Sequence, residues 1–142
     1  MLSQRSRYAL RAMIALSRAP CAQPLPISRI AADAQVPRKF CEVILAELRD
    51  AGLVVSHRGK QGGFRLARLP HLISFGDIVR VTEGALALVP CVSRTAYRRC
   101  EDCVDEASCA VRRAMLVVRD ETARILDGTS LADATAEDLA AA

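Results

Sequence analysis

Leu10, Met13, Ile14 and Ser17 recur at helical spacing among Arg5, Arg7, Arg11 and Arg18, which predicts a helix over residues 3–19. Pro20, Pro24 and Pro26 then end it. Residues 28–34 read as a short second helix with Ile30 and Ala31 turned inward, and Val36-Pro37 reads as a turn. The clearest helical pattern spans residues 38–51. Phe40, Val43, Ile44 and Leu48 form its apolar face, and Gly52 is its stop.

After Gly52 the period changes from helical to alternating. Residues 53–57 and 64–67 read as short strands around Arg58-Gly59-Lys60-Gln61-Gly62-Gly63, a β-hairpin. Ser74, with Asp77 three residues on, predicts the cap of a short helix over residues 75–81. Residues 84–109 show no periodicity and hold four cysteines. Over residues 107–127, Val111, Met115, Val118, Thr122 and Ile125 alternate at spacings of 4 and 3, the seam of a helix that pairs with another helix. Gly128 stops it, and the Ala-rich stretch from Ser130 predicts a weak terminal helix. The expected fold is mainly α with a small β-hairpin wing. A winged helix-turn-helix occupies residues 1–70 and a connecting helix residues 71–84. A cysteine-rich loop over residues 85–110 and a long dimerisation helix with its tail over residues 107–142 complete the chain.

The formal net charge of +4 conceals an asymmetry. Residues 1–70 carry twelve Lys and Arg against four Asp and Glu, whereas residues 71–142 carry eight against twelve. Eighteen of the 20 basic residues are Arg, whose planar guanidinium suits phosphate and guanine. The basic half fits a polyanion, most simply DNA, although an Arg-rich solvated surface gives the same numbers. No apolar run reaches the roughly 18 residues a membrane span needs, and no secretory leader is evident. The expected compartment is the cytoplasm. With 4% aromatic residues and no Trp, a stacking platform for single-stranded nucleic acid is not expected.

Two helices joined by a short turn and followed by a basic hairpin are the order of a winged helix-turn-helix. Such a module sets the N-terminal end of its second helix against the major groove. Arg38 and Lys39 stand at that end, suited to guanine or phosphate, and Glu42 lies one turn on, able to accept from a cytosine amino group. Ser28 is placed to cap the preceding helix or to touch phosphate. In the wing, Arg58, Lys60 and Gln61 offer polar contacts, and Gly62 and Gly63 let the backbone approach a phosphate.

Arg7-Tyr8-Ala9-Leu10, Ile27-Ser28-Arg29-Ile30-Ala31, the run LAELRDAGLV over residues 45–54 and Arg58-Gly59-Lys60-Gln61-Gly62-Gly63-Phe64 together resemble the IscR/NsrR/RirA family of bacterial winged-helix transcriptional regulators, the Rrf-two family. The resemblance covers residues 3–132. It implies a homodimer that binds a palindromic double-stranded DNA operator, and an iron–sulfur cluster in the segment before the long helix.

Cys91, Cys100, Cys103 and Cys109 are spaced C-x8-C-x2-C-x5-C. A cytoplasmic chain has little use for structural disulfides, so metal or redox chemistry is the better explanation. Four thiolates suffice for a 2Fe–2S or a 4Fe–4S cluster. Arg94, Arg98, Arg99, Arg112 and Arg113 surround the loop and offset thiolate charge. By resemblance, Cys91, Cys103 and Cys109 match the family's three loop cysteines and Cys100 departs from it. Ala110, Val111 and Arg112 stand where some members place a histidine, and Arg7 and Tyr8 stand in the region of an acidic ligand of others. Both absences favour Cys100 as the fourth ligand. A four-cysteine zinc site, which ordinarily brings two C-x2-C pairs, and a metal-free thiol switch are the alternatives. Cys41 reads as a small packing residue and Cys21 as part of the Pro-rich connection. His57 and His71 read as surface and turn residues. The leading reading is a cluster-controlled transcriptional regulator, with a thiol-sensing regulator as the alternative. No fingerprint or catalytic constellation of an enzyme is present.

Overall fold

The computed structural model describes residues 2–20 and 22–141. Its first helix, α1 (Gln4–Arg18), is capped by Ser3, whose hydroxyl accepts from the Ser6 amide. The buried face of α1 is Ser6, Ala9, Ala12, Met13, Ala15 and Leu16. Leu10 and Ile14 are only partly buried beside it. The small residues let α1 serve as the central helix, touching α2 (Ile27–Ala34), α3 (Arg38–Asp50), α4 (Phe75–Glu83) and α6 (Leu131–Ala141).

The α2–α3 connection is the turn of the helix-turn-helix. Gln35 adopts the left-handed conformation at φ 53°, and the Val36 amide returns to the Ala31 carbonyl at 2.9 Å. Arg11 Nη2 donates to the Gln35 carbonyl at 2.9 Å, which ties this turn to α1. Pro26, not Ser28, occupies the N-cap of α2 and makes no side-chain cap bond. The capping role read for Ser28 is therefore not found.

The buried face of α3 is Cys41, Ile44, Leu45 and Leu48. Phe40 and Val43, expected on that face, are instead 45% and 58% exposed. Ile44 and Leu48 are buried as expected, and Cys41 and Leu45 take the inward places read for Phe40 and Val43.

Strands β1 (Val54–His57) and β2 (Gly63–Leu66) pair antiparallel in the register Val54↔Leu66 to His57↔Gly63. Leu25 adds a third, one-residue partner. It exchanges two backbone hydrogen bonds with Phe64, at 2.8 and 2.9 Å. Gly63 permits that approach, since a Cβ there would lie 2.1 Å from the Leu25 carbonyl oxygen. The wing thus grows out of the connection that follows α1.

Ser74 and Asp77 form a reciprocal capping box at the start of α4. At the other end of α4, Glu83 Oε1 accepts from the Ser6 hydroxyl at 2.5 Å and the Ser3 amide at 2.7 Å. Hydrogen bonding from Ser3 first, and then from Ser6, holds its carboxyl down at about 2. The long helix α5 (Ala110–Gly128) begins directly after Cys109, three residues later than its sequence pattern starts. It has no buried residue. Arg80 grips Asp127 with two bonds of 2.6 and 2.9 Å, joining α4 to the C-terminal end of α5. The tail helix α6 is docked rather than loose. Leu131 is fully buried, its amide bonds the Ile73 carbonyl at 3.0 Å, and α6 packs on α1.

Candidate nucleic-acid interface and cysteine pocket

Ser28, Arg38, Lys39, Glu42, Arg58, Lys60 and Gln61 are all exposed. Arg38 and Glu42 are paired across one turn of α3 at 3.1 Å. Both side chains are largely in water, so the pair holds them loosely and leaves each free to exchange partners. Lys39 Nζ lies 5.1 Å from the Phe40 ring, which in turn lies 6.0 Å from the Tyr8 ring. The N-terminal half of α3 therefore offers one acid (Glu42), two cations (Arg38 and Lys39) and two apolar side chains (Phe40 and Val43) to solvent.

In the wing, Lys60 and Gln61 line a shallow cleft with Gln23, Pro24 and Pro26. Gly62 and Gly63 have packing reasons of their own. A Cβ on Gly62 would meet the His57 carbonyl oxygen at 2.5 Å, and one on Gly63 would meet Leu25. Arg65 Nε donates to His57 Nε2 at 3.0 Å, a polar pair across the strands that the hairpin pattern did not single out.

The loop between α4 and α5 is organised by its own polar bonds. A turn over Pro90–Val92 buries Cys91 and Val92, and the Arg98 amide closes onto the Pro90 carbonyl at 3.2 Å. The Cys103 amide bonds the Cys100 carbonyl at 3.2 Å. Asp105 accepts from the Ser108 amide at 2.9 Å, and Tyr97 donates to Glu106 at 2.6 Å. Cys109 then caps α5, its sulfur accepting from the Arg112 amide at 3.4 Å.

This folding brings Cys91, Cys100, Cys103 and Cys109 to the wall of one cavity of about 460 Å³, shared with Arg112 and Val89. All four are free thiols. Among the described residues, no three His, Cys, Asp or Glu side chains are gathered tightly enough to hold a single metal ion. Burial first, and then the neighbouring Cys100 thiol, push the Cys91 thiol up, while the Arg112 charge pulls the other way. Sequence spacing marks the four thiols but not Arg112, whose side chain enters the same cavity as theirs. Cys41 lies apart, fully buried in the core, where burial pushes its thiol up to about 11. It is a packing residue. Cys21 lies outside the described residues.

Arg119 links the pocket to α5. Its Nη1 donates to the Val92 carbonyl at 2.7 Å, immediately after Cys91. Arg94 reaches Asp120 at 3.0 Å. The apolar seam of α5 stays open, with Val111 61% and Ile125 54% exposed.

The family model described as Rrf2, an iron-dependent transcriptional regulator, matches residues 2–137. An rrf2-like HTH-type transcriptional regulator of Rhodobacter capsulatus is 39% identical over 136 residues, 94% of this chain and 91% of that protein. CymR (YrzC), described as the global cysteine regulator of B. subtilis, has a similar structure. Its TM-score is 0.78 at 32% identity, over 96% of this chain and 97% of that one. T. potens IscR has a TM-score of 0.76 at 28% identity, over 97% of this chain and 88% of that one. These similar proteins are transcriptional regulators and not enzymes.

Proposed function

Because the chain belongs to the Rrf2 family of transcriptional regulators, we propose that it is a homodimeric repressor of a palindromic operator. In this reading, an iron–sulfur cluster held by Cys91, Cys100, Cys103 and Cys109 controls its affinity for DNA. The observation that carries the proposal is the single cavity those four thiols line, built against the N-cap of the seam helix α5. The donor set fits the group. Four sulfurs supply a full set of thiolate ligands, and the Arg112 guanidinium offsets their charge.

On the DNA side, Arg38, Lys39 and Glu42 face the major groove from α3, and Arg58, Lys60 and Gln61 reach the backbone from the wing. Ser28 lies beside a phosphate at the start of α2, and Gly62 and Gly63 keep the wing tip close to the strand. Val111, Met115, Val118, Thr122 and Ile125 pair the α5 helices of two copies. Two recognition helices then meet half-sites about 34 Å apart, so a small change in the angle between protomers changes affinity strongly.

The chain connects the two functions mechanically. Cys109 ends the loop and starts α5. Arg119 ties α5 to the Cys91 turn, and Arg80 ties the far end of α5 to α4 and so to α1. A bound cluster would supply a centre that reacts with oxygen or nitric oxide and is lost when iron is scarce. Cys91, Cys100, Cys103 and Cys109 would hold it, and a loop ordered by those ligands would fix the start of α5 and hence the spacing of the recognition helices, with reciprocal coupling.

A second reading keeps the DNA surface and senses oxidants through thiols alone. The four free thiols on the wall of one cavity support it as well. Anaerobic purification with a visible spectrum and iron, sulfide and zinc analysis separates the readings. Broad visible absorption with matched iron and sulfide supports the cluster. A colourless protein with zinc, or with no metal after reconstitution, rejects it.

A further inference from the structure

Among the described residues, one buried side-chain nitrogen or oxygen has no hydrogen-bond partner: Nε of Arg112. A buried N–H without an acceptor is costly, so such an atom calls for an explanation. Of the other arginines around the loop, Arg98 is exposed to water and the rest are engaged. Arg99 Nη2 donates to the Cys103 and Val104 carbonyls, and Arg113 Nη1 donates to the Ser108 carbonyl. Arg94 pairs with Asp120, and Arg119 bonds the Val92 carbonyl and Asp120. The Arg112 amide donates to the capping sulfur of Cys109. Its side chain lines the cavity of the four cysteines.

We infer that Arg112 is a positioning residue, whose Nε–H and positive charge are reserved for an anionic sulfur occupant of the cysteine pocket. The inference rests on the cluster reading for the identity of that occupant, a thiolate-held iron–sulfur group. Hydrogen bonds to cluster sulfur and net charge both set reduction potential, and a donated N–H with a cation favours the reduced, more negative state. Arg112 thus has two effects that can be read separately. One is a pull on anions entering the pocket, which needs no cluster. The other is a potential shift, which does.

The test compares wild type with Arg112→Gln and Arg112→Lys. Thermal melts confirm that each variant folds. In cluster-free protein, the pocket thiols are reacted with a dianionic aromatic disulfide and, separately, with a neutral maleimide. The ratio of the two rates cancels differences in thiol ionisation and general accessibility. Arg112→Gln should lower the anionic-to-neutral ratio by about fivefold, the effect of one partly screened unit charge near contact. Arg112→Lys should restore most of it. In cluster-loaded protein, both variants should keep iron and sulfide but show a lower reduction potential, with Gln lower than Lys. An unchanged rate ratio in Arg112→Gln overturns the inference, as does an unchanged potential with the cluster in place. If wild type retains no iron and sulfide, the cluster reading fails on that measurement, and the two-reagent ratio still decides whether Arg112 serves the pocket.

Discussion

Replacing Gly63 with alanine should detach the wing from the helical core. A Cβ at that position lies 2.1 Å from the Leu25 carbonyl oxygen, 2.4 Å from its carbon and 2.8 Å from the Pro26 nitrogen. All three are backbone atoms, pinned by the paired Leu25–Phe64 hydrogen bonds, so none can swing aside. Relief requires opening that bridge, which costs about 1–3 kcal/mol in lost hydrogen bonding. The backbone at φ +154° adds about 1–3 kcal/mol for a residue with a side chain. Together the loss is about 2–6 kcal/mol, a large share of the roughly 5–15 kcal/mol available to a domain. Gly59→Ala is the control. It too has a positive φ, +107°, but no atom lies within 4 Å of its Cβ, so it carries the strain without the collision. Urea unfolding followed by circular dichroism, at one protein concentration, should place the Gly63→Ala midpoint well below that of Gly59→Ala. Melting temperatures should fall in the same order, by about 3 °C per kcal/mol. Equal midpoints for the two variants would refute the reasoning and return Gly63 to a role outside the fold.

Three further outcomes are expected. Phe40→Ala and Val43→Ala should each cost less than about 1 kcal/mol in urea unfolding, whereas Ile44→Ala should cost about 2–4 kcal/mol, because only Ile44 faces the core. Glu83 has a folded value of about 2 against an ordinary 4.5, so its contribution is fully present above the ordinary value and is lost as pH falls from there through 2. Glu83→Gln should flatten wild type's loss of stability across that acid window, and an unchanged slope would show that the Ser3 and Ser6 bonds do not hold the charge. Arg58→Ala and Lys60→Ala should each reduce the slope of log affinity against log salt by about one on duplex DNA. An unaltered slope would remove that side chain from the phosphate contacts.

The order of elements was legible because each change of period in the chain is marked by a breaker. Pro20 to Pro26, Gly52 and the glycines of the hairpin all fall where elements end. Which face of each helix turns inward was less legible. On α3, both the expected Phe40–Val43–Ile44–Leu48 stripe and the observed Cys41–Ile44–Leu45–Leu48 stripe are helical in period, and they share Ile44 and Leu48. Side-chain size favours the first, and the packing of α1 and α2 selects the second. On α1, the buried alanines Ala9, Ala12 and Ala15 carry little apolar weight in a pattern, yet they are what allows four helices to approach. The docking of α6 turns on Leu131 and the strand-like bonds of Ile73 and Phe75, contacts some 55 residues apart in sequence. The cysteine spacing announced the pocket, because thiols crowded into a short loop have few uses. The unpaired Nε of Arg112 could not be read there, since the sequence shows five arginines around the loop and only their partners distinguish them.

The central claim is that the state of the cysteine pocket sets affinity for DNA. The most direct measurement is fluorescence anisotropy on a duplex selected from genomic fragments. One anaerobic preparation is titrated with its cluster intact, and again after the iron is removed by chelation, at a single salt concentration. The two forms should differ in affinity by at least about tenfold, a coupling of about 1.4 kcal/mol, and Cys109→Ser should behave as the iron-free form does. Equal affinities of the two forms, with the iron and sulfide content verified in each, would contradict it.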